Sequence, residues 1–363
     1  MKKLLSLLLA LTLILSLAAC GSKEEPAPER GESAPASEPA ADPAPQPAAT
    51  PDETPAEPAP EPAPAEPAAT GETYTVGICQ LVTHVALDAA TEGFQDALNE
   101  KLPGQVTFDY QNAANDPATC ATIANAFVSA NVDLIMANAT PALQAAATAT
   151  ADIPVLGTSV TEYGVAMGID NFSGTVGGNI SGTSDLAPLD QQAAMIKEWY
   201  PDAETVGLLY CSNEANSQYQ VDTVMAELEN LGYVCTQFSF SDSNDIAAVC
   251  QSAADNSDVL YVPTDNTVAS NTGIIDNICH GKVPVFTGEE GICAGCGVAT
   301  LSISYYDIGY KTGKMAADIL TGKADVSAMP IEYAPEFTKK YNAVTCDALG
   351  LTPPDGYEVI AAE

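Results

Sequence analysis

From Tyr74 onward, short runs of β-branched residues alternate with amphipathic stretches, and the series starts again at Thr205. Strands that alternate with helices pair in parallel, and their sheets need helices on both faces. The runs 74–80, 106–110, 132–136 and 153–156 read as strands. The stretch 85–102 reads as a helix with Leu87, Ala90, Phe94, Ala97 and Leu98 along one face. A second helix is expected over 117–130. Pro141 opens a third, at a position where its missing N–H costs nothing. The second series places strands at 205–210, 233–238, 259–262 and 283–286, and helices at 215–231, 245–252 and 268–280. A helix at 306–320 and strands near Ile331 and Asn342 follow. Two successive series predict an α/β protein with two similar lobes and parallel sheets. The tail is expected to pack back on both lobes. The segment 172–185, with Gly174, Gly177, Gly178 and Gly182, is the expected crossing between them.

Ahead of that series the chain is of another kind. Lys2 and Lys3 precede an apolar stretch from Leu4 to Ala19, which ends in Leu17-Ala18-Ala19-Cys20. A basic start, an apolar centre and a small-residue cleavage site make residues 1–19 a secretory signal. A cysteine at the first mature position adds the mark of a bacterial lipoprotein. Its thiol takes a diacylglycerol, and two acyl chains anchor stably where one does not. The apolar stretch is shorter than the ~20 residues of a membrane span. Residues 20–72 are nearly all Pro, Ala, Glu, Ser and Thr, with no Val, Ile, Leu or aromatic residue. Such a segment has nothing to bury and is expected to be a disordered spacer, extended by its prolines to ~3.1 Å per residue. The expected location is the extracytoplasmic face of the cell membrane, held by lipid.

The net charge is −36, from 12 Lys+Arg against 48 Asp+Glu, and no arginine follows residue 72. This argues against nucleic acid, which needs clustered Lys and Arg, and against lying flat on anionic lipid. An acidic field favours cationic or zwitterionic ligands, although solubility alone explains the charge equally well. Of 10 cysteines, Cys20 is assigned to the anchor, which leaves an odd number. Cys293 and Cys296 form a Cys-x-x-Cys, but His84 and His280 do not complete a zinc pattern, so no metal and no cofactor is expected. Export permits a Cys293–Cys296 bridge; free, partly buried thiols are the default.

Ligands of open parallel sheets bind beyond the carboxyl ends of the strands. In the first lobe those ends carry Gln80 and His84, then Asn138 and Thr140, then Thr158, Ser159, Thr161 and Glu162. In the second they carry Asn213, Glu214 and Asn216, then Asp265, Asn266 and Thr267, then Glu289 and Glu290. Two facing sets of polar ends make a cleft that can close around a small molecule.

These clusters, taken in order, resemble a known family. Gly77-Ile78-Cys79-Gln80-Leu81-Val82-Thr83-His84, Asn138-Ala139-Thr140-Pro141, Gly178-Asn179-Ile180-Ser181-Gly182-Thr183-Ser184-Asp185 and Ser304-Tyr305-Tyr306-Asp307-Ile308-Gly309 are similar to the ABC-transporter substrate-binding proteins associated with tryptophan and tyrosine uptake. The stretches 212–217 and 262–270 fit the same pattern. Val85 departs from the proline common after the histidine, and Cys293-Ala294-Gly295-Cys296 is unusual. The resemblance implies a type I periplasmic-binding-protein fold, two Rossmann-like lobes joined by three crossings, with expected lobes 73–185 with 298–328 and 186–297 with 329–363. It also implies delivery of a ligand to a membrane permease driven by a cytoplasmic ATPase, by a monomeric receptor.

For an amino-acid ligand, Thr140, Ser159 and Thr161 are the expected carboxylate donors, with a helix N-terminus behind Thr140. Asp265, Glu289 and Glu290 are the expected ammonium acceptors, one of the two glutamates being merely solvated. Asp185 lies at the hinge, and Gln80 and His84 lie within reach of a ligand. Tyr163, Tyr219 and Tyr305 offer faces for an aromatic ring. Thr140 and Asp265 have a simpler role open to them, capping the helices they precede. A sugar or nucleoside receptor on the same fold is the alternative. Catalysis is not expected: Cys79 with His84, or Cys211 with Glu214, lacks a third orienting group.

Overall fold

The computed structural model describes residues 72–361, so the expected signal peptide, Cys20 and the linker up to residue 71 lie outside the described residues. The first series supplies strands β1 (Tyr74–Gln80), β2 (Val106–Asn112), β3 (Leu134–Asn138), β4 (Val155–Val160) and β5 (Ile180–Ser184). The second supplies β6 (Thr205–Cys211), β7 (Val234–Phe240), β8 (Val259–Val262), β9 (Val285–Thr287) and β10 (Ala299–Ser302). Three short strands close the chain, β11 (Glu332–Tyr333), β12 (Thr338–Tyr341) and β13 (Glu358–Val359). One sheet has the order β11-β5-β4-β3-β1-β2, the other β13-β12-β10-β9-β8-β6-β7. All pairings are parallel except β10 with β12. The result is two doubly wound lobes.

Strand alternation divides each core in two. In β1, Val76 and Ile78 face the helices Val85–Lys101 and Tyr305–Leu320, packing with Phe94, Leu98, Met136 and Met315. Cys79 faces the opposite layer with Phe127, Ile135 and Leu143, under the helices Pro117–Ala130 and Thr140–Ala149. Full burial of side chains such as Phe94 and Leu98 is worth ~1.5–3 kcal/mol each. The helices Val85–Lys101 and Tyr305–Leu320 approach closely through glycine. A Cβ on Gly309 would stand 2.0 Å from the Ala90 carbonyl oxygen, and one on Gly93 would stand 2.1 Å from that of Tyr306.

The chain passes between the lobes three times, after β5, after β10 and after β11, so the sheets exchange strands where sequence alone divided them too early. β10, expected in the first lobe, pairs with β9 and β12 of the second sheet. β11, expected in the second, pairs with β5 of the first. The segment 172–185 is not a plain crossing. Gly177 and Gly178 take positive φ in a turn, and β5 follows it inside the first sheet. The crossing begins at Asp185. The expected helix over 268–280 is two, Asn266–Ala269 and Thr272–Cys279, broken at Asn271. The helices Tyr163–Met167, Leu189–Trp199, Glu290–Cys296 and Ala343–Leu349 are further elements that the sequence reading did not assign.

The nine cysteines among the described residues are free thiols, and all but Cys235 are buried. Cys293 and Cys296 share the helix Glu290–Cys296. Residues three apart on a helix hold their Cβ atoms ~5–6 Å apart, too far for the ~3.5–4.5 Å of a disulfide.

Candidate functional site

The carboxyl ends of β1, β2, β3 and β4 face those of β6, β8 and β9 across the lobes. Two direct side-chain bonds join them. His84 Nε2 lies 3.3 Å from Asn266 Oδ1, and Asn115 Nδ2 donates to Thr267 Oγ1 at 3.0 Å. Both end on the short helix Asn266–Ala269. Behind these contacts lies a cavity of about 10 Å³, the space of about one water molecule. The lobes are therefore closed, and a larger guest enters only when they part.

The first lobe and the crossings contribute His84, Leu87, Ser159, Thr161, Asp185 and Tyr305 to this cavity. The second contributes Asn216, Thr264, Asp265, Asn266, Ala269 and Glu289. Three buried polar atoms in the lining make no hydrogen bond of ordinary geometry among the described residues: Ser159 Oγ, Asp185 Oδ1 and Asn216 Oδ1. Ser159 also sits at φ +54°, where the register of β4 against β5 shifts between Gly157 and Val160. At the end of the neighbouring β3, Ala139 takes φ +91°. A non-glycine residue in the left-handed region costs on the order of 1–3 kcal/mol, and such strain clusters where a side chain is aimed at a ligand.

The acidic residues divide by what holds their oxygens. Asp185 is 5% exposed; its Oδ2 accepts from the Tyr305 hydroxyl at 3.0 Å. Burial raises its pKa, and the Thr161 and Tyr305 hydroxyls pull it part of the way back. Asp265 spends both oxygens within its own lobe, accepting from the N–H groups of Cys211 at 2.7 Å and Val268 at 2.9 Å. Burial, then the Glu214 charge, pushes its pKa up. Glu289 caps the helix Glu290–Cys296 through the N–H groups of Gly291 and Ile292, and burial pushes its pKa up to about 7. Three carboxyl groups thus line the cavity, and no lysine does. Such a lining suits a cation and disfavours an uncompensated anion. Burial also lowers the pKa of His84, partly offset by Asn266, Asp88 and Glu214.

Six of the fourteen expected ligand contacts do not line the cavity. Gln80 is locked inside the first lobe, donating to Val82 O and Asp88 Oδ1 and accepting from Thr91. Thr140 is buried at the start of its helix. Asn213 is exposed and donates to Ser241 O. Glu214 holds the backbone N–H groups of Asn266 and Thr267 and both of their side chains. That bond is what occupies Thr267 on the inner side. Glu290, far from solvated alone, pairs with Lys340 at 2.7 Å and accepts from Ser302. Of the three tyrosines, Tyr163 is sealed in the first core with its hydroxyl on Thr183 O, and Tyr219 lies away from the cavity. Tyr305 alone lines it. Leu87, Thr264 and Ala269 were not read as site residues; Leu87 looked like any other residue of an apolar helix face.

His84, Ala269, Glu289 and Tyr305 also border a larger groove of about 1300 Å³ between the lobes. Its walls near the cavity include the apolar Val85, Ala86, Ala89 and Ile303.

The profile of the family described as ABC transporter substrate binding protein matches residues 75–363. A protein named tyrosine-binding protein, from Clostridioides difficile strain R20291, is 37% identical over 280 residues, 76% of this chain and 81% of its own length. Among solved structures, an ABC domain from Streptococcus pneumonia in complex with L-Trp overlays with a TM-score of 0.75 at 31% identity, covering 80% of this chain and 100% of its own. The ligand-free, open structure of a substrate binding protein with adhesive properties from Clostridium difficile gives 0.62 at 37% identity, over 80% and 100%. The ligand-bound structure superposes better than the one described as open, although it is less identical. More distant sugar- and leucine-binding proteins share the fold alone.

Proposed function

The chain belongs to the family of ABC transporter substrate binding proteins, and from that premise we propose that its interlobe cavity receives the amino and carboxylate groups of an aromatic amino acid. Members of this family work outside the cytoplasm and hand a small molecule to a membrane permease. The observation that carries the ligand assignment is the set of buried, unpartnered atoms on both sides of the cleft, Ser159 Oγ, Asp185 Oδ1 and Asn216 Oδ1. Two of them are acceptors beside an acidic lining, and they take the ammonium group. The Ser159 hydroxyl, with Thr161 behind it, donates to the carboxylate. Groups from both lobes are satisfied together only in a closed form, so binding and closure are coupled. The ring packs toward Leu87, Ala269 and Tyr305, next to the groove that gives it room. The bound form is wider than the 10 Å³ cavity. The ligands named for the two relatives, tyrosine and L-Trp, support the aromatic class.

We read no catalytic activity here. Cys79 is sealed in the core of the first lobe, and the Cys211 thiol is turned to Ser241 O. Cys20 is proposed as the lipid-bearing residue that keeps the receptor, on its proline-rich spacer, beside its permease. Replacing it with serine should release the receptor into the medium, and a variant that stays with the membrane would count against the anchor.

Calorimetry with tyrosine, tryptophan and phenylalanine, beside nucleosides and sugars, tests the ligand class. Heat with one or more of the three is expected. Heat with a nucleoside or sugar and with none of the amino acids would overturn the assignment.

A further inference from the structure

The fold brings together a thiol pair that sequence spacing does not suggest. Cys250 lies in the helix Ile246–Asp255, and Cys279 ends the helix Thr272–Cys279. They are 29 residues apart in the chain, yet their sulfurs are 3.8 Å apart, in van der Waals contact inside the second lobe. Their surroundings are apolar, including Phe240, Leu260 and Ile275. Neither thiol lines the cavity or the groove of the cleft.

We propose that Cys250 and Cys279 form a disulfide as the chain folds outside the cytoplasm. Disulfides persist in that compartment. The bond needs the sulfurs to move from 3.8 Å to ~2.05 Å. Cys279 ends its helix, where the backbone yields more easily than in mid-helix. In the folding chain one of the two, as its thiolate, is the attacking group. It displaces one sulfur of a disulfide oxidant, small molecule or protein, to give a mixed disulfide and a released thiol. The other thiol then loses its proton, attacks the chain's own sulfur in the mixed disulfide and releases the second thiol. Two cysteine thiols lose two electrons and two protons, and one oxidant disulfide becomes two thiols. In the folded lobe Cys250 is 0% exposed and Cys279 1%. The exchange therefore belongs to the folding chain, before the two helices seat on the sheet.

The test is refolding of the full chain from denaturant with oxidised or reduced glutathione, then alkylation under denaturing conditions and peptide mapping. With oxidised glutathione the chain should lose two alkylatable thiols and yield one peptide linking Cys250 to Cys279. Its unfolding midpoint should rise over the reduced form. Cys250→Ala should lose that peptide and the rise together. No loss of thiols in oxidised glutathione, or a linked peptide joining another pair such as Cys79 and Cys120 in place of this one, would overturn the proposal.

Discussion

Tyr305 donates its hydroxyl to Asp185 at 3.0 Å, joining the residue that follows the second crossing to the one that begins the first. The bond occupies Oδ2 and fixes the carboxyl group so that Oδ1 remains unpartnered against the cavity. A carboxylate held this way is placed to meet the proposed ligand at the hinge between the lobes.

Replacing Asp185 with asparagine keeps the shape and the Tyr305 contact but removes the charge. A charge-assisted hydrogen bond is worth ~1.5–3 kcal/mol, so affinity for the amino acid should fall roughly ten- to hundredfold. Circular dichroism and the unfolding midpoint should change little, because burial already raises the pKa of this carboxyl. Titration calorimetry on both proteins reads the difference; equal affinities would remove Asp185 from the site.

Asp265 should behave in the opposite way. Its oxygens hold the N–H groups of Cys211 and Val268, the second of these at a helix start. Asp265→Ala loses a cap worth ~1 kcal/mol and leaves a buried N–H unpaired at ~1–3 kcal/mol. The urea midpoint should drop clearly. A variant as stable as the parent that no longer binds would make Asp265 a direct ligand contact.

Much of this was legible in the sequence, and the reasons it failed elsewhere are physical. β8 and the helix Pro117–Ala130 appear at their expected ends because local signals bound them: Asp258 and Pro263 around the strand, the Asp116 cap and left-handed Asn131 around the helix. β10 and β11 were assigned to the wrong lobes because strands of four and two residues carry no sign of which sheet they join. The acidic residues after β6, β8 and β9 were visible, but an acid before a helix looks the same whether it caps or binds. Only the coordinates separate Glu214, Asp265 and Glu289, whose oxygens are held by N–H groups, from Asp185, whose Oδ1 is not.

Glu289 predicts a pH dependence of stability. Its pKa is raised from 4.5 to about 7, so between those values the native chain holds a proton that the unfolded chain has lost. Its contribution is present in full below pH 4.5 and is lost as pH rises through 7. His84, with its lowered pKa, acts in the opposite sense over the same range. The readout is therefore the difference between the parent and Glu289→Gln. The parent's midpoint should fall more steeply than the variant's from pH 4.5 to 7, and parallel curves would contradict the assignment.

The His84–Asn266 bond, one of two direct side-chain bonds between the carboxyl ends of the lobes, predicts a shift in closure. A neutral hydrogen bond is worth ~0.5–1.5 kcal/mol, so His84→Ala should move the ligand-free equilibrium roughly two- to tenfold toward the open form. X-ray scattering without ligand should show a larger radius of gyration. An unchanged profile would mean that other interlobe contacts decide closure.

The most direct measurement is a crystal structure of the receptor with L-tyrosine bound. The ammonium should lie within hydrogen-bond reach of Asp185 Oδ1 and Asn216 Oδ1, with the carboxylate on Ser159 Oγ. A tyrosine whose carboxylate faces Asp185, or one bound away from this cavity, would contradict the account.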